Sequence, residues 1–155
     1  MGVSGSGKTT IGVRLSKILD VPFYDADDYH NDECIQKMKQ GRPLDDTDRE
    51  SWLSLLAVRM KRWDLQGNAI LACSALRTCY RNKLTDDNNV SFIFLDGSYK
   101  LIRNRLLDRK NHYFLASMLK SQFRILEPPI NCIRVSIDKS KSDICLSIIE
   151  NINKN

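Results

Sequence analysis

A chain of 155 residues with 42% apolar and 28% charged side chains can build one packed domain, which excludes a disordered or fibrous protein. No apolar run approaches the roughly 20 residues that span a bilayer, so no membrane association is expected. The net charge of +5 is spread along the chain without a basic run of five or more, so no nucleic-acid partner is expected and a polyanionic small molecule fits.

Taken in order, the chain begins with Gly2-Val3-Ser4-Gly5-Ser6-Gly7-Lys8-Thr9. This fits G-x-x-x-x-G-K-[ST], a loop whose backbone N–H groups cradle nucleotide phosphates. Lys8 adds a charge for the β- and γ-phosphates, and the Thr9 hydroxyl suits Mg²⁺. Residues 10–19 carry Ile11, Leu15, Ile18 and Leu19 at helical spacing, so the loop feeds a helix N-terminus that favours anions. A buried apolar strand normally delivers the chain into such a loop. Only Met1 precedes Gly2, so the first strand is expected to be missing or truncated.

Residues 21–24 read as a short strand. They lead into Asp25-Ala26-Asp27-Asp28-Tyr29-His30, acids placed where parallel sheets bind ligands. Asp25 and Asp27 suit Mg²⁺ and a catalytic base; a solvated turn capping the next helix is the plainer reading, with Asn31 or Asp32 as the cap. Residues 32–40 predict a short helix, broken at Gly41. Thr47 or Asp48 is expected to cap a long helix ending near Gly67. At its start Arg49 is either a surface ion pair with a neighbouring acid or a fork for a substrate carboxylate.

Residues 69–73 form an apolar run typical of a strand buried on both faces. Ser74 is expected to open a helix with Arg77, Tyr80 and Arg81 on one face, a ligand-binding face or simply a solvated one. Residues 90–95 predict another strand. A basic helix with Arg103, Arg105, Arg109 and Lys110 follows, a break falls at 111–115, and 116–125 is helical again. That pattern suggests either a lid bringing arginines over phosphates or a surface hairpin. Residues 132–138 predict the last strand, and Ser140 or Ser142 begins the terminal helix. The alternation argues a single α/β domain with a three-layer parallel sheet. Five cysteines, Cys34, Cys73, Cys79, Cys132 and Cys145, lack C-x-x-C spacing and read as reduced thiols of a cytoplasmic protein.

These blocks resemble a known family, the small gluconate kinases, relatives of shikimate and adenylate kinases. Residues 1–9 resemble its M-G-V-S-G-S-G-K-[ST], and 23–30 its D-x-D-x-x-H block. Residues 41–53 resemble G-x-P-L-x-D-x-D-R-x-P-W-L, with Ser51 in place of the proline. Residues 72–81 resemble A-C-S-A-L-K-x-x-Y-R, with Arg77 in place of the lysine. Residues 105–123 resemble the lid, and 126–129 the L-E-P-P tail.

The resemblance implies a P-loop kinase fold and ATP- and Mg²⁺-dependent phosphorylation of D-gluconate on its 6-hydroxyl. It implies catalytic roles for Lys8, Asp27 and Arg109. Nucleotide contacts would come from Gly2, Val3, Ser4, Gly5, Ser6, Gly7, Lys8, Thr9 and Thr10, with Arg105, Arg109 and Asp138. Gluconate would meet Asp27, His30, Arg49, Arg77, Tyr80 and Arg81, and Thr9 and Asp25 would hold Mg²⁺. The resemblance also admits a homodimer. Two other functions stay open: a kinase for another small hydroxy acid or a nucleotide, and a truncated, catalytically impaired nucleotide-binding protein.

Overall fold

The computed structural model describes residues 1–42, 44–86, 88–108 and 113–154, with 113–117 as backbone only. After the phosphate loop come α1 (Lys8–Leu19), β1 (Phe23–Asp25), a 3₁₀ turn (Ala26–Tyr29), α2 (Asp32–Lys39) and α3 (Asp46–Gln66). Then follow β2 (Ile70–Ala72), α4 (Thr78–Thr85), β3 (Ile93–Asp96), α5 (Tyr99–Leu107), α6 (Tyr113–Ile125), β4 (Ile133–Ser136) and α7 (Lys141–Ile152).

The strands form two parallel pairs. β1 lies beside β2, with Asp25 opposite Ala72, and β3 lies beside β4, with Asp96 opposite Ser136. Met1 and Gly2 link the pairs. The Met1 carbonyl accepts from Leu95 N at 3.0 Å, and Gly2 N donates to Ser74 O at 3.3 Å. The residues entering the phosphate loop therefore run between the ends of β2 and β3.

Two apolar cores cover the two faces. Ile70 packs against a core of Val3, Ile11, Leu15, Leu95, Ile102, Leu106 and Ile148, among others. Leu71 packs against the other core, where Trp52, Leu53 and Leu56 of α3 meet Tyr80 and Leu84 of α4. Adjacent strand residues point to opposite faces, so helices cover the strands on both sides.

Several local expectations change. α3 is capped by Asp45, not Thr47 or Asp48: Asp45 accepts from Asp48 N at 2.8 Å, and Asp48 returns the bond to Asp45 N at 3.1 Å. Two acids three apart make a capping box that places the helix start at least two residues earlier than expected. α4 starts at Thr78 rather than Ser74, because Ala75 adopts φ 44° and breaks the helical path. The carbonyls of Ser74 and Leu76 are taken by Gly2 N and Glu127 N. α6 resumes at Tyr113, three residues before the expected Ala116.

Candidate active site

Gly7 caps α1 with φ 99° and offers no side chain to the helix. The first N–H groups of α1 are therefore left to an external acceptor, the arrangement that binds phosphate. Gly5 has φ 81°, and a Cβ there would meet the Leu106 side chain at 2.8 Å, so the loop lies tight against α5. Val3 and Ser6 are buried and anchor the loop in the fold. Lys8 Nζ donates back to Val3 O at 3.1 Å. Burial pulls its ammonium below the usual range, opposed by the charges of Asp27 and Asp25.

Thr9 Oγ1 donates to Asp25 Oδ2 at 2.8 Å, and the other Asp25 oxygen accepts from Asp27 N at 3.2 Å. The hydroxyl and carboxylate sit beside the open end of α1. Among the described residues no three His, Cys, Asp or Glu side chains gather as a metal cage. A hydroxyl and one carboxylate next to a phosphate loop are the donors that suit Mg²⁺ shared with a nucleotide.

The Asp27 side chain is largely exposed, although the chain packed around it limits its hydration. Burial and then the neighbouring Asp25 charge raise its carboxyl above the usual range, with Lys8 and His30 opposing. His30 Nε2 lies 3.9 Å from Asp27 Oδ1. Its ring stacks on Trp52 with centroids 4.4 Å apart, while Trp52 Nε1 donates to Ala26 O at 2.8 Å. Burial, with a further contribution from Arg49, holds the imidazole below its ordinary pKa against the pull of Asp27.

Arg49 Nη1 donates to the Tyr80 hydroxyl at 3.5 Å, and its guanidinium lies 5.6 Å from the ring centroid. Arg77 approaches the same ring at 5.5 Å. Asp46 then ties the group together, accepting from the Tyr80 hydroxyl at 2.5 Å and from Arg77 Nη1 at 2.7 Å. Those two bonds hold the Asp46 carboxyl below its usual range. Asp48 pairs instead with Lys37 at 2.5 Å. One set of contacts runs from Thr9 through Asp25 and Asp27 to His30 beside the phosphate loop, a second joins Arg49, Tyr80, Arg77 and Asp46, and the Arg49 charge reaches His30 across the space between them.

On the far side of the loop a cleft of about 660 Å³ is lined by residues that include Gly5, Gly7, Thr10, Arg14, Arg105 and Lys139. Its size and its position beside the phosphate loop suit the nucleoside of a bound nucleotide.

A family model described as shikimate kinase matches residues 4–129. The chain is 42% identical over 172 aligned positions to a probable gluconokinase of Mus musculus, covering 97% of this chain and 94% of that protein. It is 39% identical to the thermoresistant gluconokinase of Escherichia coli K12, covering 99% and 91%. The crystal structure of a gluconokinase from Sinorhizobium meliloti 1021 superposes with a TM-score of 0.88 at 31% identity, covering 99% of this chain and 89% of that one. The chain belongs to the gluconokinase family. Its fold is that of the P-loop kinases.

Within this gluconokinase-family fold, Thr9, Asp25, Asp27 and His30 gather beside the phosphate loop within the field of Lys8, and Arg49, Tyr80 and Arg77 form a cluster whose charge reaches His30. Arg105 lies in the nucleoside-side cleft, with its Nη2 donating to Ile137 O at 2.5 Å. Asp138 accepts from Ser136 Oγ; the cleft is lined by the next residues, Lys139 to Ser142. Arg81 turns inward. It is 6% exposed, and its guanidinium donates to Ala75 O, Leu76 O and Thr78 Oγ1. Arg109 lies outside the described residues, as does the middle of the expected 105–123 lid.

Sequence reasoning missed four contributors. Asp46 enters the sequence reading only as one of the two acids beside Arg49, with Asp48. Trp52 is a core residue whose indole N–H needs an acceptor, and that requirement is the signal that it also reaches the site. Gln122 meets Ser4, and Glu127 meets Thr78; contacts across such sequence separations leave no local signal. Cys73, near the site, is a buried thiol pushed up to about 11 by desolvation, and so is unreactive at neutral pH.

Proposed function

We propose that this protein transfers the γ-phosphate of ATP to the 6-hydroxyl of D-gluconate, giving 6-phosphogluconate. The observation that carries this reading is Asp27, tied through Asp25 to the Thr9 hydroxyl and neighboured by His30, whose ring feels the charge of the Arg49–Tyr80–Arg77 cluster. Full-length similarity to gluconokinases supports the choice of acid.

The Thr9–Asp25 pair and the open α1 amides suit Mg²⁺ with ATP. The metal, when bound, neutralises phosphate charge. Lys8 and the open amides from Gly7 to Thr10 hold the charge that gathers on the departing diphosphate, while Gly2, Val3, Ser4, Gly5 and Ser6 shape the loop around it. Asp27 orients the 6-hydroxyl and takes its proton as the new oxygen–phosphorus bond forms, and its raised pKa makes it a better acceptor. His30 Nδ1 is buried without a partner among the described residues, which leaves a ring nitrogen for a sugar hydroxyl. Arg49 clamps the gluconate carboxylate, with Arg77 and Tyr80 beside it. Arg81 braces the 75–78 turn from behind. Arg105 lines the nucleotide cleft, the resemblance gives Arg109 a role in phosphate transfer, and the loop after Asp138 meets the nucleoside.

Five thiols without disulfide spacing support a cytoplasmic enzyme. The homodimer that the resemblance admits is checked by light scattering.

A coupled ADP-release assay tests the activity. Gluconate with Mg²⁺ and ATP should give kcat/KM at least ~100-fold above shikimate and other sugar acids. No ADP release with gluconate, or faster turnover of another hydroxy acid, would overturn the reading.

A further inference from the structure

The carboxyl-terminal half of α6 and the residues after it touch both ends of the site. The Gln122 carboxamide grips the phosphate loop: Oε1 accepts from Ser4 N at 2.7 Å, and Nε2 donates to Ser4 Oγ at 3.0 Å. Five residues later Glu127 grips the turn that carries Arg77. Its backbone N donates to Leu76 O at 2.8 Å, and its Oε2 accepts from Thr78 N at 2.6 Å. Its other oxygen lies 3.9 Å from Arg77 Nε. Glu127 thereby supplies the N-terminal cap that α4 lacks, since Arg77 gives no side-chain cap, and its charge suits a helix N-terminus.

The segment carrying these two grips packs against the core. Leu119 is fully buried, and Phe123, Ile125 and Leu126 pack on the core that contains Val3 and Leu76. Val3 adjoins Ser4, and Leu76 adjoins Arg77. One short segment is therefore bonded to the nucleotide loop at one end and to the acid-binding turn at the other, with apolar anchors beside both.

We propose that residues 122–127 are a strut coupling the two substrate sites, with Gln122 as its positioning residue. The proposal rests on the gluconate kinase reading above. Phosphates bound in the loop fix the Ser4 peptide, and Gln122 and Glu127 pass that order to the turn holding Arg77 and Tyr80. The ordering cost met by the first ligand is then spared the second, so each raises the affinity for the other by the same factor. Gln122 touches neither reacting group and acts only through Ser4.

Calorimetric titration of gluconate, with and without a non-hydrolysable ATP analogue, measures this factor. In the unaltered protein the analogue should tighten gluconate binding ~5-fold or more. Gln122→Met keeps the side-chain length and removes both bonds; it should bring the ratio close to one, with gluconate affinity in the absence of nucleotide unchanged. Glu127→Gln weakens the other grip and should lower the ratio as well, which covers the case of a poorly folded Gln122 variant. A merely structural role would lower the melting temperature and leave the ratio intact, and that result overturns the strut. So does a ratio of one in an unaltered protein that phosphorylates gluconate. If the unaltered protein neither binds nor phosphorylates gluconate, the kinase reading fails, and the coupling fails with it.

Discussion

The indole N–H of Trp52 donates to the carbonyl of Ala26 at 2.8 Å, one residue before Asp27. The other side of this arrangement is the His30 ring stacked on the same indole. One α3 side chain therefore sets the 3₁₀ turn that holds the expected base and its histidine neighbour. Trp52→Phe keeps the stack and strips the Ala26 carbonyl, fully buried, of its donor. The cost should be about 1–3 kcal/mol of stability, the usual cost of an unsatisfied buried acceptor. Urea denaturation reads the loss. Turnover should fall as well, since Asp27 loses its fixed turn; an unaltered kcat would separate Trp52 from the site.

Asp27 carries a testable trade between stability and activity. Its folded pKa lies above the ordinary carboxylate value, so its ionised form costs stability at neutral pH. That cost is relieved as pH falls through the folded value and vanishes below the unfolded one. Asp27→Asn should therefore lower kcat ~10²–10⁴-fold, the range for a lost general base. The variant should melt at an equal or higher temperature than the parent at pH 7, and its advantage should shrink toward pH 4. A variant that loses both activity and stability would show Asp27 to be a structural acid instead.

Much of this site is legible in local sequence because its parts are short and chemically marked. Gly7-Lys8-Thr9 is a motif whose geometry follows from a glycine at positive φ before a helix. Asp25 and Asp27 follow a strand, where sheet topology puts ligands. The failures have a common physical cause, which is tertiary contact overriding local preference. Residues 74–77 read as helix, yet Gly2 and Glu127 take their carbonyls, and Ala75 turns left-handed. Arg81 falls on the expected ligand face, yet the turn it follows supplies three inward acceptors. The missing or truncated first strand was legible: Met1 and Gly2 form no strand and reach the neighbouring pairs by single bonds to Leu95 and Ser74.

The Thr9–Asp25 bond predicts a metal phenotype. Thr9→Val removes the hydroxyl at constant shape, leaving Asp25 without its 2.8 Å donor. The Mg²⁺ concentration for half-maximal rate should rise ~10-fold at fixed ATP, the scale of losing one metal-site contact. Thr9→Ser restores the hydroxyl and should restore the metal response. Equal Mg²⁺ titrations for all three proteins would remove Thr9 and Asp25 from the metal site.

Arg49 and Arg77 should respond differently to truncation because their partners differ. Arg77 is held by Asp46 and lies near Glu127, so part of its charge is already answered within the protein. Arg49 makes its described contacts with Tyr80, through a long 3.5 Å bond and the ring face. Asp48, its other acidic neighbour, is engaged by Lys37. The guanidinium better placed to accept an incoming carboxylate is thus Arg49. Arg49→Ala should raise the gluconate KM about 10- to 100-fold, the scale of a charged hydrogen bond, with the ATP KM unchanged. Arg77→Ala removes a charge already answered by Asp46 and should change the gluconate KM less, by about 3-fold. The reverse order of sensitivity would move the carboxylate clamp to Arg77 and make Arg49 the supporting charge.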